Sequence, residues 1–273
     1  MSKHIFRILL CMFLIFTFLP VIEVNATEDV DYDIETDSYG NDEYEIKQYK
    51  VNMVINEDNT YDITEYIEVY FNVEKRGIIR NIPKTNKIER LDGSKSSNRA
   101  KISNVSVNDN YTIFNGRKYD KIKIGDPNKT LTGYESYEIS YTYDIGNDKS
   151  KGFDELYFNI IGTEWDTTIS NVEFTITMPK EFDESKIGFS HGVLGSTDSS
   201  SIIYSVDDKT ISGEFTGVLE AYEGLTIRLE LPEGYFLKRM DPIKIFALTI
   251  PIFCLLISFV VWLIYGKNDR IIK

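Results

Sequence analysis

The stretch YKVNMVINEDNTYDITEYIEVYFNVEKRGIIRNIP, Tyr49 to Pro83, decides how the chain reads. Every second residue is apolar at Tyr49, Val51, Met53 and Ile55, and the alternation resumes at Tyr61 and Ile63, then Ile67, Val69, Phe71 and Val73. Glu57, Asp58 and Asn59 separate the two runs as turn residues do. A period of two is the signature of a strand with one buried face, so the stretch predicts a hairpin. Working outward, the same period returns at Val105/Val107, Tyr111/Ile113, Ile122/Ile124 and Tyr137/Ile139/Tyr141/Tyr143. It returns again at Val172/Phe174/Ile176/Met178, Ile202/Tyr204/Val206 and Leu225/Ile227/Leu229/Leu231. Asn115-Gly116, Asp126-Pro127, Gly146-Asn147, Asp207-Asp208 and Glu223-Gly224 punctuate these runs as turns. Away from the two ends no stretch carries a 3.6-residue apolar period. Many short strands rich in Tyr, Ile, Val and Thr predict an all-β fold, an antiparallel β-sandwich. Lys84 to Lys101 is polar and net basic, and reads as an exposed loop.

The end of the opening stretch, RGIIRNIP from Arg76 to Pro83, is a corner. Gly77 permits an unusual backbone angle, and Pro83 bars continuation into a central strand. Ile78, Ile79 and Ile82 are expected to face inward in part. Arg80 then lies among apolar neighbours, where an unpaired guanidinium is costly. It should find a carboxylate, and Glu65, Glu155 and Glu164 are the candidates. The expected role of Arg80 is a structural clamp rather than a ligand contact.

Both ends of the chain are apolar. Residues 1–26 read as a signal peptide: Lys3 and Arg7 precede an apolar run, and Val24-Asn25-Ala26 offers small residues for cleavage. Ile245 to Tyr265 carries no charge over 21 residues, about 31 Å of helix, enough for one hydrocarbon core. Trp262 and Tyr265 suit an interfacial belt, and Lys267, Arg270 and Lys273 follow. The expected organisation is a signal at 1–26, an acidic spacer at 27–45 and an extracytoplasmic domain at 46–240. A transmembrane helix at 245–265 and a short cytoplasmic tail at 266–273 complete it. The protein is thus expected in the cell membrane as a single-pass chain, its bulk outside. Lys3, Arg7, Lys244, Lys267, Arg270, Lys273, Glu23 and Asp269 lie outside the segment Thr27 to Ile243. Setting them aside leaves 24 Lys+Arg against 41 Asp+Glu, a net charge of −17. Such a surface repels nucleic acid and favours basic partners. Cys11 and Cys254 both fall in the apolar ends, so the exterior segment has no disulfide and depends on core burial.

Catalytic chemistry is thinly represented. Gly188-Phe189-Ser190-His191-Gly192 matches the Gly-x-Ser-x-Gly pattern, which needs a strand-to-helix turn and a histidine from elsewhere. The exterior segment has one histidine, His191, beside the serine itself, so the match reads as a glycine-rich loop. One histidine and no exterior cysteine leave no conventional soft-ligand metal cluster. Trp165 could line a groove for sugar or peptide, and reads first as core. No catalytic, cofactor-binding or metal residue is expected, and no cofactor.

Two blocks of sequence resemble the bacterial predicted membrane proteins grouped as DUF2207. In the first, Thr64-Glu65 and Gly77-Ile78-Ile79-Arg80-Asn81-Ile82-Pro83 match a "V-T-E"-like strand followed by a "G-I-x-R-x-I-P" corner. In the second, Glu155, Leu156, Tyr157, Asn159, Gly162, Trp165 and Pro179 match an "E-L-Y-W-N-x-x-G-x-x-W" segment and the proline after it, with Phe158 replacing a tryptophan. WLIYGKND, Trp262 to Asp269, is similar to the sequence just past the family's membrane helix. The resemblance implies a secreted β-rich domain held by a membrane helix, and no activity. Members usually continue into further membrane helices, whereas this chain stops eight residues after Tyr265, as a short variant or a truncated product would. Arg80, Glu65, Glu155, Asn159 and Trp165 together form the expected structural or binding corner. The function that follows is a cell-surface binding or sensing module without enzymatic activity, with an envelope protein or the cell wall as partner. The alternatives are a carboxylate-dependent hydrolase of wall glycan or peptide, and a scaffold subunit of a membrane complex.

Overall fold

The computed structural model describes residues 42–89, 95–148, 152–240 and 242–265. The signal segment 1–26, most of the acidic spacer (27–41) and the tail 266–273 lie outside the described residues. Fifteen strands run along the described chain: β1 (Tyr44–Ile55), β2 (Thr60–Lys75), β3 (Ile78–Pro83), β4 (Thr85–Glu89), β5 (Lys95–Arg99), β6 (Lys101–Val107), β7 (Tyr111–Asn115) and β8 (Tyr119–Ile124). They continue as β9 (Leu131–Asp144), β10 (Phe153–Ile161), β11 (Val172–Thr177), β12 (Ile187–Gly192), β13 (Ile202–Asp207), β14 (Thr210–Phe215) and β15 (Gly224–Pro232). A helix, α1 (Pro242–Tyr265), follows.

The predicted hairpin is β1–β2, with Ile55 opposite Tyr61 and Asn59 at φ 63° in the turn. That left-handed angle is one asparagine tolerates. The pair forms the middle of a seven-stranded sheet in the order β13-β14-β11-β1-β2-β9-β6. Two three-stranded sheets, β10-β15-β12 and β3-β8-β7, pack on its inner face. Aromatic contacts join these layers. Tyr61 of β2 and Tyr143 of β9 meet Phe158 of β10 edge-on at 5.7 and 5.3 Å, and Phe174 of β11 meets Phe189 of β12 at 5.3 Å. Tyr49, Val51, Met53 and Ile55 are buried, as are Tyr61, Ile63, Ile67, Val69 and Phe71, so the period-2 reading of the inward face holds along both strands.

Several expectations need correction. The large sheet is mixed, because β1 pairs with β11 in parallel, Tyr49 opposite Val172. Parallel neighbours need a long crossover, and here most of the domain, β2 to β10, lies between them. The polar stretch Lys84 to Lys101 is not wholly a loop: β4 and β5 pair antiparallel, Thr85 opposite Arg99. The two strands hold one apolar residue between them, Ile88, so there is no apolar alternation to read. Val73 and Ile79, expected inward, are 44% and 47% exposed. Val73 lies where the β2–β9 register breaks, between Phe71 and Lys75. Ile79 alternates out of step with the buried Ile78 and Ile82. β1 begins at Tyr44, inside the stretch expected as spacer.

At the C-terminal end the uncharged run belongs to α1, whose 24 residues span about 36 Å. Among the described residues no helix is long and apolar enough to cross a membrane. The segment before the helix is fastened to the domain. Leu237 N–H donates to the Glu57 carbonyl at 2.7 Å, Phe236 N–H to Asp154 at 2.8 Å, and Arg239 N–H to the Asn147 side chain at 2.7 Å.

Candidate functional site

The inward row of β2 runs Tyr61, Ile63, Glu65, Ile67, Val69, Phe71, so one carboxylate stands where the pattern calls for an apolar residue. Its neighbours across the ladders are Val51 of β1 and Ile139 of β9. The inward row of β3 is Ile78, Arg80, Ile82, with one guanidinium in the equivalent place. The two charges meet in the core. Arg80 Nε donates to Glu65 Oε2 at 2.8 Å and Arg80 Nη2 to Oε1 at 2.7 Å, a two-pronged pair in which Glu65 is 1% and Arg80 3% exposed. Tyr49 OH donates to Oε2 and Tyr141 OH to Oε1, each at 2.7 Å. Each carboxylate oxygen therefore accepts two hydrogen bonds, which fills the acceptor capacity of the group. Arg80 Nη1 donates to the Asn81 carbonyl at 2.6 Å, and the guanidinium lies 5.7 Å from the Trp165 ring centre. Trp165 in turn meets Tyr49 edge-on at 5.9 Å.

The corner aims Arg80 inward through two glycines. Gly77, at φ 127°, and Gly125, at φ 124°, bring their backbones together where β3 begins and β8 ends. A Cβ on Gly77 would overlap the Ile124 carbonyl, and one on Gly125 the Arg76 carbonyl. Gly77 thus provides both a left-handed backbone and a close approach, and neither is open to another residue.

Burial by itself would raise the pKa of Glu65. The Arg80 charge and the hydrogen bonds from Arg80, Tyr141 and Tyr49 outweigh it and hold the carboxyl below its ordinary 4.5. Burial likewise opposes the charge on Arg80, and the Glu65 carboxylate beside it pushes the guanidinium well above its ordinary value. Tyr49 and Tyr141 are pushed well above 10.0, chiefly by burial. The cluster is an ion pair with neutral phenols at pH 7.

Of the three carboxylates offered to Arg80, Glu65 takes the hydrogen bonds. Glu164 lies nearby with its carboxyl folded over Gly162; burial raises its pKa, against the pull of Arg80. Glu155 is elsewhere. On β10 it accepts from Arg228 Nε of β15 at 2.7 Å, and Asn159, on the same strand, accepts from Thr226 Oγ1 at 2.9 Å. The expected corner therefore divides into two places: Arg80, Glu65 and Trp165 come together, while Glu155 and Asn159 lie along the β10–β15 ladder, where Glu155 faces Glu230 and Asn159 faces Thr226. Sequence reasoning missed Tyr49 and Tyr141 as partners. Both stand in inward apolar rows, where only the polar end of the ring hints at a nearby acceptor.

The Gly188–Gly192 match is strand β12, not a loop, with Ser190 opposite Thr226 of β15. His191 Nε2 is 3.3 Å from Ser200 Oγ and 3.6 Å from Asp198 Oδ2. Both neighbours address the same ring nitrogen, whereas a Ser-His-Asp relay requires the two nitrogens to face opposite partners. Among the described residues no group of His, Cys, Asp and Glu is placed to hold a metal ion.

A family model described as "Predicted membrane protein (DUF2207) N-terminal domain" matches residues 45–231, as the two sequence blocks anticipated. No curated protein matches the chain. Solved structures with partial likeness include an M1 zinc metallopeptidase from Deinococcus radiodurans, 11% identical with a TM-score of 0.36, covering 69% of this chain and 43% of that one. Native leukotriene A4 hydrolase from Saccharomyces cerevisiae is 12% identical with a TM-score of 0.38, covering 69% and 29%. The chain spans less than half the length of these structures.

Proposed function

From the premise that the chain belongs to the DUF2207 family, in its N-terminal domain, we propose a membrane-anchored extracytoplasmic β-sandwich that serves as a cell-surface interaction module. The observation that carries the reading is the order of parts. The family domain ends at 231, and α1 begins at Pro242 with its uncharged run from Ile245, reached by a segment hydrogen-bonded to the domain. The signal-like residues 1–26 would export the domain, and α1 would hold it at the bilayer. We assign Arg80 and Glu65 a structural role, because a carboxylate whose acceptor sites are all filled has nothing left to offer a ligand. Binding then falls to the edges and loops around that fixed core. No enzymatic activity is assigned: the hydroxyl, imidazole and carboxylate of Ser200, His191 and Asp198 lack relay geometry.

Protease treatment of intact cells or protoplasts tests the arrangement, with an epitope after Lys273 and antibodies to the domain. The expected result is loss of the domain and survival of a short tagged C-terminal fragment. Protection of the whole chain until lysis would overturn the proposal.

A further inference from the structure

Among the described residues the large sheet ends in two edge strands, β6 and β13, and they are finished differently. At one end β6 carries Lys101, breaks its register with β9 between Ser103 and Ser106, and places Asn104 at φ 55°. Tyr111 OH donates to the Val105 carbonyl at 3.0 Å and covers part of that edge. A lysine, a bulge and a side-chain cap are the usual means of blocking strand addition.

At the other end β13, Ile202-Ile203-Tyr204-Ser205-Val206-Asp207, has none of them. It pairs with β14 in unbroken register from Ile202/Phe215 to Asp207/Thr210. Thr216 N–H donates to the Ser201 carbonyl, and hydrogen-bonded pairs recur at every second residue of an antiparallel ladder. Ser201, Ile203, Ser205 and Asp207 therefore commit their backbone groups to β14, while Ile202, Tyr204 and Val206 turn theirs outward. The side chains of those three share a face with Ile211 and Phe215, which are buried, so they border the open end of the core. Tyr204 is 44% exposed and meets Phe189 of β12 with its ring tilted at 5.0 Å. Leu194, in the loop joining β12 to β13, is 89% exposed.

We infer that β13 is a docking edge for an extended, basic, amphipathic segment of another polypeptide, added antiparallel or parallel as an eighth strand. The inference rests on the interaction-module reading and names the partner's chemistry. Alternate residues of the added strand would be apolar and would extend the core over Phe189 and Tyr204. Those between them would face the outer side, beside Asp207 and Glu214. Residues 187–216 hold four acids, Asp198, Asp207, Asp208 and Glu214, against one base, Lys209. Charge complementarity selects lysine or arginine at the outer positions and disfavours a second copy of this acidic chain.

The test uses the full chain in detergent micelles. The probes are a short peptide alternating valine with lysine, one alternating valine with glutamate, and the lysine peptide N-methylated on one set of alternate amides, in both phases. The lysine peptide should bind saturably and slow amide exchange at Tyr204 and Val206. The glutamate peptide should bind at least about tenfold more weakly, and one N-methylated form should fail. Tyr204→Pro, which removes an outward N–H, should abolish binding with the circular dichroism unchanged. If that variant does not fold, exchange at Tyr204 and Val206 in the unaltered chain decides alone. The inference is overturned if those amides exchange as before, or if both N-methylated peptides or the glutamate peptide bind as well as the lysine peptide. A dimer that Tyr204→Pro dissolves would give the edge to a second copy instead. Protease shaving and peptide binding fail independently, so the anchor and the edge are separable.

Discussion

Among the described residues two arginine–carboxylate pairs tie one strand to another, and they differ in geometry and in how deeply the arginine lies. Arg80–Glu65 joins β3 to β2 with both side chains nearly fully buried, and Arg228–Glu155 joins β15 to β10 with a 2.7 Å contact while the arginine stays 39% exposed. Glu155 is itself only 3% exposed, but an arginine that is 39% exposed keeps much of its hydration when that carboxylate is removed, so the loss of Glu155 costs little. In the first, losing either member strands the other charge where water cannot reach it. Similar chemistry fixes the position of a corner in one place and only trims a ladder in the other.

The comparison is most exposed to failure at Glu65. Glu65→Ala leaves Arg80 unpaired and should cost about 3–5 kcal/mol, read by urea unfolding with Trp165 fluorescence in a Trp262→Phe background. A loss below that of Glu155→Ala would show that the buried pair is not the stronger constraint.

Acid should distinguish the pairs as well. Glu65 has a folded pKa below its ordinary 4.5, so its stabilisation is complete above about pH 4.5 and drains away as the pH falls through the folded value. The unaltered domain should therefore lose stability more steeply below pH 4.5 than a Glu65→Leu/Arg80→Met double variant, measured as urea midpoints across pH.

The tyrosines sharpen the same contrast. Tyr49→Phe or Tyr141→Phe removes a hydrogen bond to a charged, buried acceptor and should cost about 1.5–3 kcal/mol in the natural sequence. In the Glu65→Leu/Arg80→Met background the hydroxyls have lost their acceptor, so the same substitutions should stabilise. A cost of the same sign in both backgrounds would mean that the phenols act by packing alone.

The smallest effect is expected from Glu155→Ala, which leaves behind an arginine that water can reach, about 1 kcal/mol or less, and it should shrink as salt is added. A salt-independent loss as large as that of Glu65→Ala would erase the distinction between the pairs.

Much of this was legible beforehand. The alternation at Tyr49 to Phe71 located the central hairpin, and the requirement that a buried guanidinium find a carboxylate pointed from Arg80 to a short set that contained Glu65. Strands built of polar residues escaped, as β4 and β5 did, because their one apolar residue, Ile88, forms no alternation. Glu155, a candidate carboxylate for Arg80, and Asn159, from the second resembling block, were grouped with that corner, yet β10 carries them to a different ladder.

The sequence by itself determined the class of fold, the apolar ends and the family, since each is written in local pattern: a period of two, a charge-free run, a corner of glycine, arginine and proline. Only the tertiary structure decided which carboxylate holds Arg80, that Tyr49 and Tyr141 complete its shell, that β1 takes a parallel neighbour, and that β13 ends the large sheet among the described residues. Those outcomes join residues far apart along the chain, and strand register, which no short stretch encodes, determines which of them meet.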